Sequence, residues 1–400
     1  MSNKAPRGVR LVITLVGKRN VGKSSLINAI AGQDVAIVSD HPGTTTDPVP
    51  KHYELLPLGP VTFYDTAGLD DVGEVGELRV KATNKILMRT DLALIVVGED
   101  GLTDYEVELM NRVSKLEIPY MVVFNKNDLK EPVEADMDYC RRKGIPFYRT
   151  STLESASVDE VKAAVIDLAP EEMKREPVLA GDLFDEGDWV VCVVPIDLAA
   201  PKGRLILPQV QVLREILDRD AVGVTVKERE IEETLMSMKR DPALVITDSQ
   251  VIMSVAGDVP DEIPLTTFST LFARYKGDLA SLVEGAAAID SLQDGDTVLM
   301  GEACSHHPVA DDIGKVKIPR WIRQYTGKDI NFVMYSGHDF PDDLERFKLV
   351  IHCGACMLNR SEMLRRIKEC QRNGVPVTNY GVAISKVQGV LDRVIKPFDI

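Results

Sequence analysis

No apolar run in this 400-residue chain approaches the roughly 20 residues that a membrane-crossing helix needs. Apolar runs such as residues 92–97 and 121–124 are strand-sized, so no membrane partner is expected. Cysteine is scarce too: there are six, and three lie in clusters with histidine, which fits metal ligation in a reducing compartment better than a disulfide framework. Residues 1–10 are polar and basic and contain no apolar stretch of the kind a secretory signal carries. The expected location is the cytoplasm. Positive charge is also in deficit, with 47 Lys and Arg against 62 Asp and Glu, a net charge of −15 spread along the chain. That balance opposes nonspecific attraction to nucleic acid or anionic lipid, and no nucleic-acid partner is expected.

With 44% hydrophobic residues the chain can bury several cores, and its length predicts two to three domains. Up to residue 170, apolar β-type runs at 11–16, 61–64, 92–97, 121–124 and 147–150 alternate with amphipathic stretches. This pattern predicts an α/β fold with buried parallel strands. Residues 170–188 are polar and carry two prolines, as a linker would. Strands are expected at 189–194, 222–226 and 244–247, with a helix at 209–218. Further strands are expected at 297–300, 330–335, 349–352 and 375–378, with a helix at 361–371. The expected architecture is a P-loop domain over 1–172, a middle α/β domain over 173–262 and a C-terminal α/β domain over 263–400, with mainly parallel sheets throughout. The second and third domains share a strand and helix rhythm.

Gly17-Lys18-Arg19-Asn20-Val21-Gly22-Lys23-Ser24 follows an apolar strand and precedes a helix-like run beginning at Ser25, the context a P-loop requires. Its glycines let backbone N–H groups wrap phosphates, Lys23 reaches the β- and γ-phosphates, and the Ser24 hydroxyl binds Mg²⁺. Asp65-Thr66-Ala67-Gly68 ends the next apolar strand, where Asp65 can hold a Mg²⁺-bound water and the Gly68 N–H can sense the γ-phosphate. Asn125-Lys126-Asn127-Asp128 ends another, and Asp128 can accept both N–H donors on a guanine edge, which selects GTP over ATP. Ser151 and Thr152, after the strand at 147–150, occupy the place of a further base-contacting loop. Between P-loop and Asp65, the run Pro42-Gly43-Thr44-Thr45-Thr46-Asp47 reads as a switch whose threonine closes on Mg²⁺ when GTP is bound. Thr45 is the first choice, Thr44 the second, and Thr46 is expected to face solvent.

The Gly-Thr-Thr-x-Asp switch and Asn20 within the P-loop resemble the TrmE-Era-EngA branch of translation-factor-type GTPases. The resemblance implies that Asn20 helps hold a K⁺ ion beside the phosphates. Position 69, where Ras-type enzymes place a water-orienting glutamine, is Leu69 here, so unassisted hydrolysis is expected to be slow and K⁺ to substitute for an arginine finger.

A second ligand set lies near the C-terminus. Cys304-Ser305-His306 follows one expected strand, and His352-Cys353-Gly354-Ala355-Cys356 follows another. Two strand ends can deliver three thiolates to one place, and a C-x-x-C turn with Gly354 lets two sulfurs face one metal. The spacing admits either a Cys₃His zinc site or a 4Fe-4S cluster held by Cys304, Cys353 and Cys356 with a weaker fourth ligand. His306, His352 and an unidentified carboxylate are the candidates for that fourth position.

C-x-H followed by H-C-x-x-C, in a chain that opens with a GTPase of this branch, resembles the HydF-type maturation GTPases of iron-only (FeFe) hydrogenase along the full length. This resemblance implies a 4Fe-4S cluster on the three cysteines and a role as scaffold or carrier of the transient di-iron subcluster precursor handed to apo-hydrogenase. It also implies two radical-SAM maturases as upstream partners and a middle domain that forms a homodimer. The alternative is an RNA- or ribosome-associated GTPase with a structural zinc, for which the basic stretch 315–323 is the modest candidate surface. Cys140, Cys192 and Cys370 read as packing thiols, His307 and His338 as surface or packing residues, His41 and His52 as solvated, and 228–233 as an exposed charged face.

Overall fold

The computed structural model of the chain describes residues 10–32, 50–66, 83–170, 178–195, 205–303, 312–341, 343–355 and 357–400. Thr44, Thr45, Thr46, Gly68, Cys304, His306, His307 and Cys356 lie outside the described residues, as does His41. The chain divides into two compact units, residues 1–176 and 177–400.

In the first unit, β1 (Leu11–Val16), β2 (Pro50–Leu55), β3 (Gly59–Asp65), β4 (Leu92–Val97), β5 (Tyr120–Asn125) and β6 (Phe147–Thr150) form one sheet in the order β2-β3-β1-β4-β5-β6. Every described pairing except β2 with β3 is parallel. β1 and β4 are buried at every position, because helices cover both faces. Leu92, Leu94 and Val96 pack with Leu26, Ile30 and Val161, while Ala93, Ile95 and Val97 pack with Leu109, Val113 and Met137. The antiparallel strand β2 was not anticipated. Its sequence PKHYEL is charged and half-exposed, as an edge strand opening on proline tolerates, and so gives no apolar signal. His52 is not simply solvated: its Nδ1 lies 3.1 Å from Thr62 Oγ1 across that pairing.

The second unit holds two four-stranded parallel sheets. One contains β7 (Trp189–Val193), β8 (Val222–Val226), β9 (Leu244–Thr247) and β10 (Leu265–Thr267) in the order β10-β9-β7-β8. The other contains β11 (Thr297–Glu302), β12 (Asn331–Ser336), β13 (Leu349–His352) and β14 (Val377–Asn379) in the order β12-β11-β13-β14. The order is the same in both: the first strand lies inside, the second on one flank, and the third and fourth on the other. The shared rhythm in the sequence therefore reflects one topology used twice. Val191, Val193 and Val245 of the first sheet share a core with Val298, Met300 and Ile351 of the other.

Two boundaries differ from the sequence reading. β10 joins the middle sheet, so that sheet continues past residue 262. The polar stretch at 170–188 is not linker throughout: Leu179, Ala180 and Phe184 are buried in the middle core, and Glu215 accepts from the Leu179 and Ala180 N–H groups at 3.0 and 2.7 Å. Among the described residues no helix is long and apolar enough to cross a membrane.

Candidate functional site

The first constellation sits at the carboxyl ends of β1, β3, β5 and β6, where open parallel sheets place ligands. The chain leaves β1 through Gly17 at φ 152° and passes Asn20 at φ 61° and Gly22 at φ 90° before the helix Lys23–Ala31. A Cβ at Gly17 would run into the Val96 carbonyl, and one at Gly22 into the Asn125 amide, so both glycines are required by close approach. Lys23, 7% exposed, directs its Nζ into the loop, 2.9 Å from Gly17 O and 2.6 Å from Lys18 O. The Ser24 hydroxyl donates to Asp65 Oδ2, so the two expected Mg²⁺ groups share one spot. Val21 is buried, and Ser25 is exposed on the first turn.

Asn125 joins this loop to the next one. Its Nδ2 donates to Val21 O at 2.8 Å, and its buried Oδ1 has no hydrogen-bond partner among the described residues. Lys126, at φ 63°, pairs with Glu99 at 3.1 Å, and Asp128 projects from the same loop exposed. The Asn127 N–H donates to Thr150 O at 3.2 Å, which ties the loop after β5 to the end of β6. There Ser151 is buried, with its N–H 3.1 Å from Ser157 Oγ, and Thr152 is half-buried. Gly17, Asn20, Val21, Gly22, Lys23, Ser24, Ser25, Asp65, Asn125, Lys126, Asp128, Ser151 and Thr152 thus occupy one edge of one sheet.

The second constellation sits between β11 and β13, which pair in parallel with Gly301 opposite His352. Neighbours β12 and β13 lie on opposite flanks of β11, so the crevice beyond these two strands is the switch point of the sheet. The Ala303 N–H donates to Cys353 Sγ at 3.0 Å, and the Cys353 N–H to Gly301 O at 2.8 Å. Cys304 follows Ala303 directly in the sequence. A sulfur receiving a backbone N–H, with a second cysteine one residue beyond the donor, fits the donor set of an iron-sulfur cluster. No group of three or more His, Cys, Asp or Glu able to hold a metal occurs among the described residues, which include Cys353 and His352 but not Cys304, His306 or Cys356.

His352 departs from the expected role. It is 1% exposed, with Nδ1 3.0 Å from Cys353 O and Nε2 2.8 Å from Arg366 Nη1. Burial, reinforced by the Arg366 guanidinium, pushes its pKa down to about 3, so the ring is neutral. With both nitrogens engaged, His352 is not available as a fourth ligand in this arrangement. The sequence reading missed its partners. Glu362 and Arg366 stand four residues apart on the buried stripe of the helix Arg360–Arg372 that carries Met363, Ile367 and Cys370, and charge on such a stripe was the available signal. Burial pushes the Cys140 thiol up to about 11 and those of Cys192 and Cys370 up to about 12, as suits packing residues.

The first constellation and its sheet define a P-loop GTPase domain, which binds GTP and GDP with Mg²⁺. Residues 12–126 match the family model described as 50S ribosome-binding GTPase, residues 179–277 the hydrogen maturase F dimerization domain and residues 280–397 the hydrogen maturase F tetramerization domain. The chain belongs to the hydrogen maturase F family. Both matched C-terminal domains are described by self-association. The tRNA modification GTPase MnmE of Chromobacterium violaceum is 38% identical over 158 residues, 39% of this chain and 34% of the relative. That of Geobacillus kaustophilus is 33% identical over 160 residues, with 40% and 34% covered. The chain thus spans about a third of the length of these curated relatives. A crystal structure of Aquifex aeolicus Era bound to GDP and aluminium fluoride aligns over 54% of this chain and 92% of that one, at 23% identity and a TM-score of 0.35.

Proposed function

We propose that this protein is a GTP-hydrolysing, 4Fe-4S-binding scaffold that carries the di-iron subcluster precursor of FeFe-hydrogenase and delivers it to the apo-enzyme. The observation that supports this reading is the contact from the Ala303 N–H to Cys353 Sγ, which joins the residue after β11, one before Cys304 in the sequence, to the residue after β13. Cys304, Cys353 and Cys356 would hold the cluster, and a fourth, exchangeable position, with His306 as the remaining histidine candidate, would accept the precursor as cargo. The two upstream partners are radical-SAM maturases and the downstream partner is the hydrogenase, all in the cytoplasm.

At the nucleotide site, Lys23 neutralises the β- and γ-phosphates, Ser24 and Thr45 hold Mg²⁺ with Asp65 behind a bound water, and Gly68 senses the γ-phosphate. Thr44 lines the same switch. Asn20, in its left-handed loop position, would hold K⁺, and Asn125, Lys126, Asp128, Ser151 and Thr152 would frame the guanine. Turnover is slow and K⁺-stimulated. The reading divides the chain into a GTPase domain to about residue 172, a middle domain whose sheet includes β10, and a cluster domain beyond it. The middle domain is the homodimer interface. β8 is an edge strand of its sheet and exposes Val222, at 42%, an unpaired edge of the kind that association covers.

The chain, produced with both radical-SAM maturases and then purified, should activate apo-hydrogenase, read as hydrogen evolution. A chain loaded in that way that leaves the apo-enzyme inactive would remove the carrier role.

A further inference from the structure

The helix Arg360–Arg372 buries an ion pair beside His352. Arg366 and Glu362 have side chains 3% exposed and meet at 2.8 Å, and the guanidinium also donates to Gly337 O at 2.9 Å and lies 5.0 Å above the Phe340 ring. Glu362 receives His338 Nδ1 at 3.0 and 3.1 Å on its two oxygens. The remaining Arg366 contact runs to His352 Nε2 at 2.8 Å.

An arginine has only donors, so His352 Nε2 accepts and the ring proton sits on Nδ1. That proton is donated to the Cys353 carbonyl at 3.0 Å. The imidazole is held from the other side by β11, where a Cβ on Gly301 would come within 2.9 Å of His352 Cδ2. A chain of contacts therefore runs from buried carboxylate to guanidinium to imidazole to the peptide that carries Cys353.

We propose that Arg366 is a positioning residue for the iron-sulfur site: acting through His352, it fixes the Cys353 peptide and keeps that imidazole out of the iron coordination sphere. This rests on the cluster reading above. Partners beyond the direct ligands of metal sites are worth about 10- to 100-fold in metal affinity.

The test compares full-length chains reconstituted anaerobically with iron and sulfide. Arg366→Met removes the donor, His352→Gln keeps an acceptor in place of Nε2 but loses the Nδ1 proton, and His352→Asn keeps a donor near Nδ1. Iron release to a chelator should quicken about ten-fold in Arg366→Met and His352→Gln, and also in His352→Asn, which loses the acceptor that Arg366 engages. Pulsed EPR of the reduced cluster should show the same nitrogen couplings in wild type and His352→Asn. A coupling that vanishes in His352→Asn makes His352 a ligand and overturns the proposal, as does wild-type iron release from Arg366→Met. If Arg366→Met fails to fold, Arg366→Lys decides: a single ammonium cannot span Glu362, Gly337 and His352, so release must still quicken, and wild-type release overturns the proposal. A wild-type chain that takes up zinc without sulfide ends the cluster reading and this proposal with it, whereas a loaded wild type with unchanged variants ends this proposal alone.

Discussion

Lys23 is folded into its loop by two backbone carbonyls, and in phosphoryl transfer a lysine so placed acts on charge that develops on the phosphates. Lys23→Ala should cut phosphate release from GTP roughly 100- to 1,000-fold while iron and sulfide uptake is unchanged. Parallel loss of both would show that the two sites are not separable. The three packing thiols give a pH-dependent expectation. A thiol pKa raised by burial leaves less thiolate, so at pH 8 Cys140 is largely unreactive, and Cys192 and Cys370 are still less reactive. Mass spectrometry after alkylation of the folded, metal-free chain at pH 8 should find Cys353 modified and these three untouched until the pH passes about 10. Labelling of Cys192 at pH 8 at the rate of a small free thiol would contradict its burial. At this scale the nucleotide residues were legible because each phosphate or base contact demands a particular residue type at a fixed spacing. Arg366 and Glu362 were not, since their meaning comes from His352, which only the sheet brings beside them.

Elements that bury both faces announced themselves. β1, β4 and β5 are continuous apolar runs because helices cover them on both sides, and their bounds were readable to within a residue. β2 and β10 were hidden for opposite reasons: β2 is a polar edge, and β10 has three residues, too few for any period to show. The P-loop depends on the loop after β5 through Asn125 and Val21, and Gly22 leaves room for that amide. Gly22→Ala combines a strained φ with this collision, and fluorescent GDP titration should show at least about five-fold weaker binding, about 1–3 kcal/mol. Unchanged affinity would mean that the loop rearranges freely. At β8, Val222→Lys places charge on the exposed edge and should shift the chain toward monomer by light scattering. A variant that elutes as wild type would place the interface elsewhere.

Across the whole molecule, one topology serves twice in the second unit. In the C-terminal copy the chain leaves the strand at the switch point, β13, through Cys353, whereas in the middle copy the equivalent position after β9 opens with Asp248 and Ser249. The repeated rhythm was visible in the sequence, but strand order is a long-range property that no local pattern reports. GTP can influence the cluster domain only by binding two states of the molecule differently, so the nucleotide and metal sites need not share chemistry. The carrier role requires three sulfurs to meet at one centre. Iron and acid-labile sulfide per chain, measured after anaerobic reconstitution of the wild type and of Cys304→Ala, Cys353→Ala and Cys356→Ala, test this most directly. About four of each are expected in the wild type, with loss of both in every variant; one zinc without sulfide, or any variant that keeps its full cluster, would rule out a shared cluster on these cysteines.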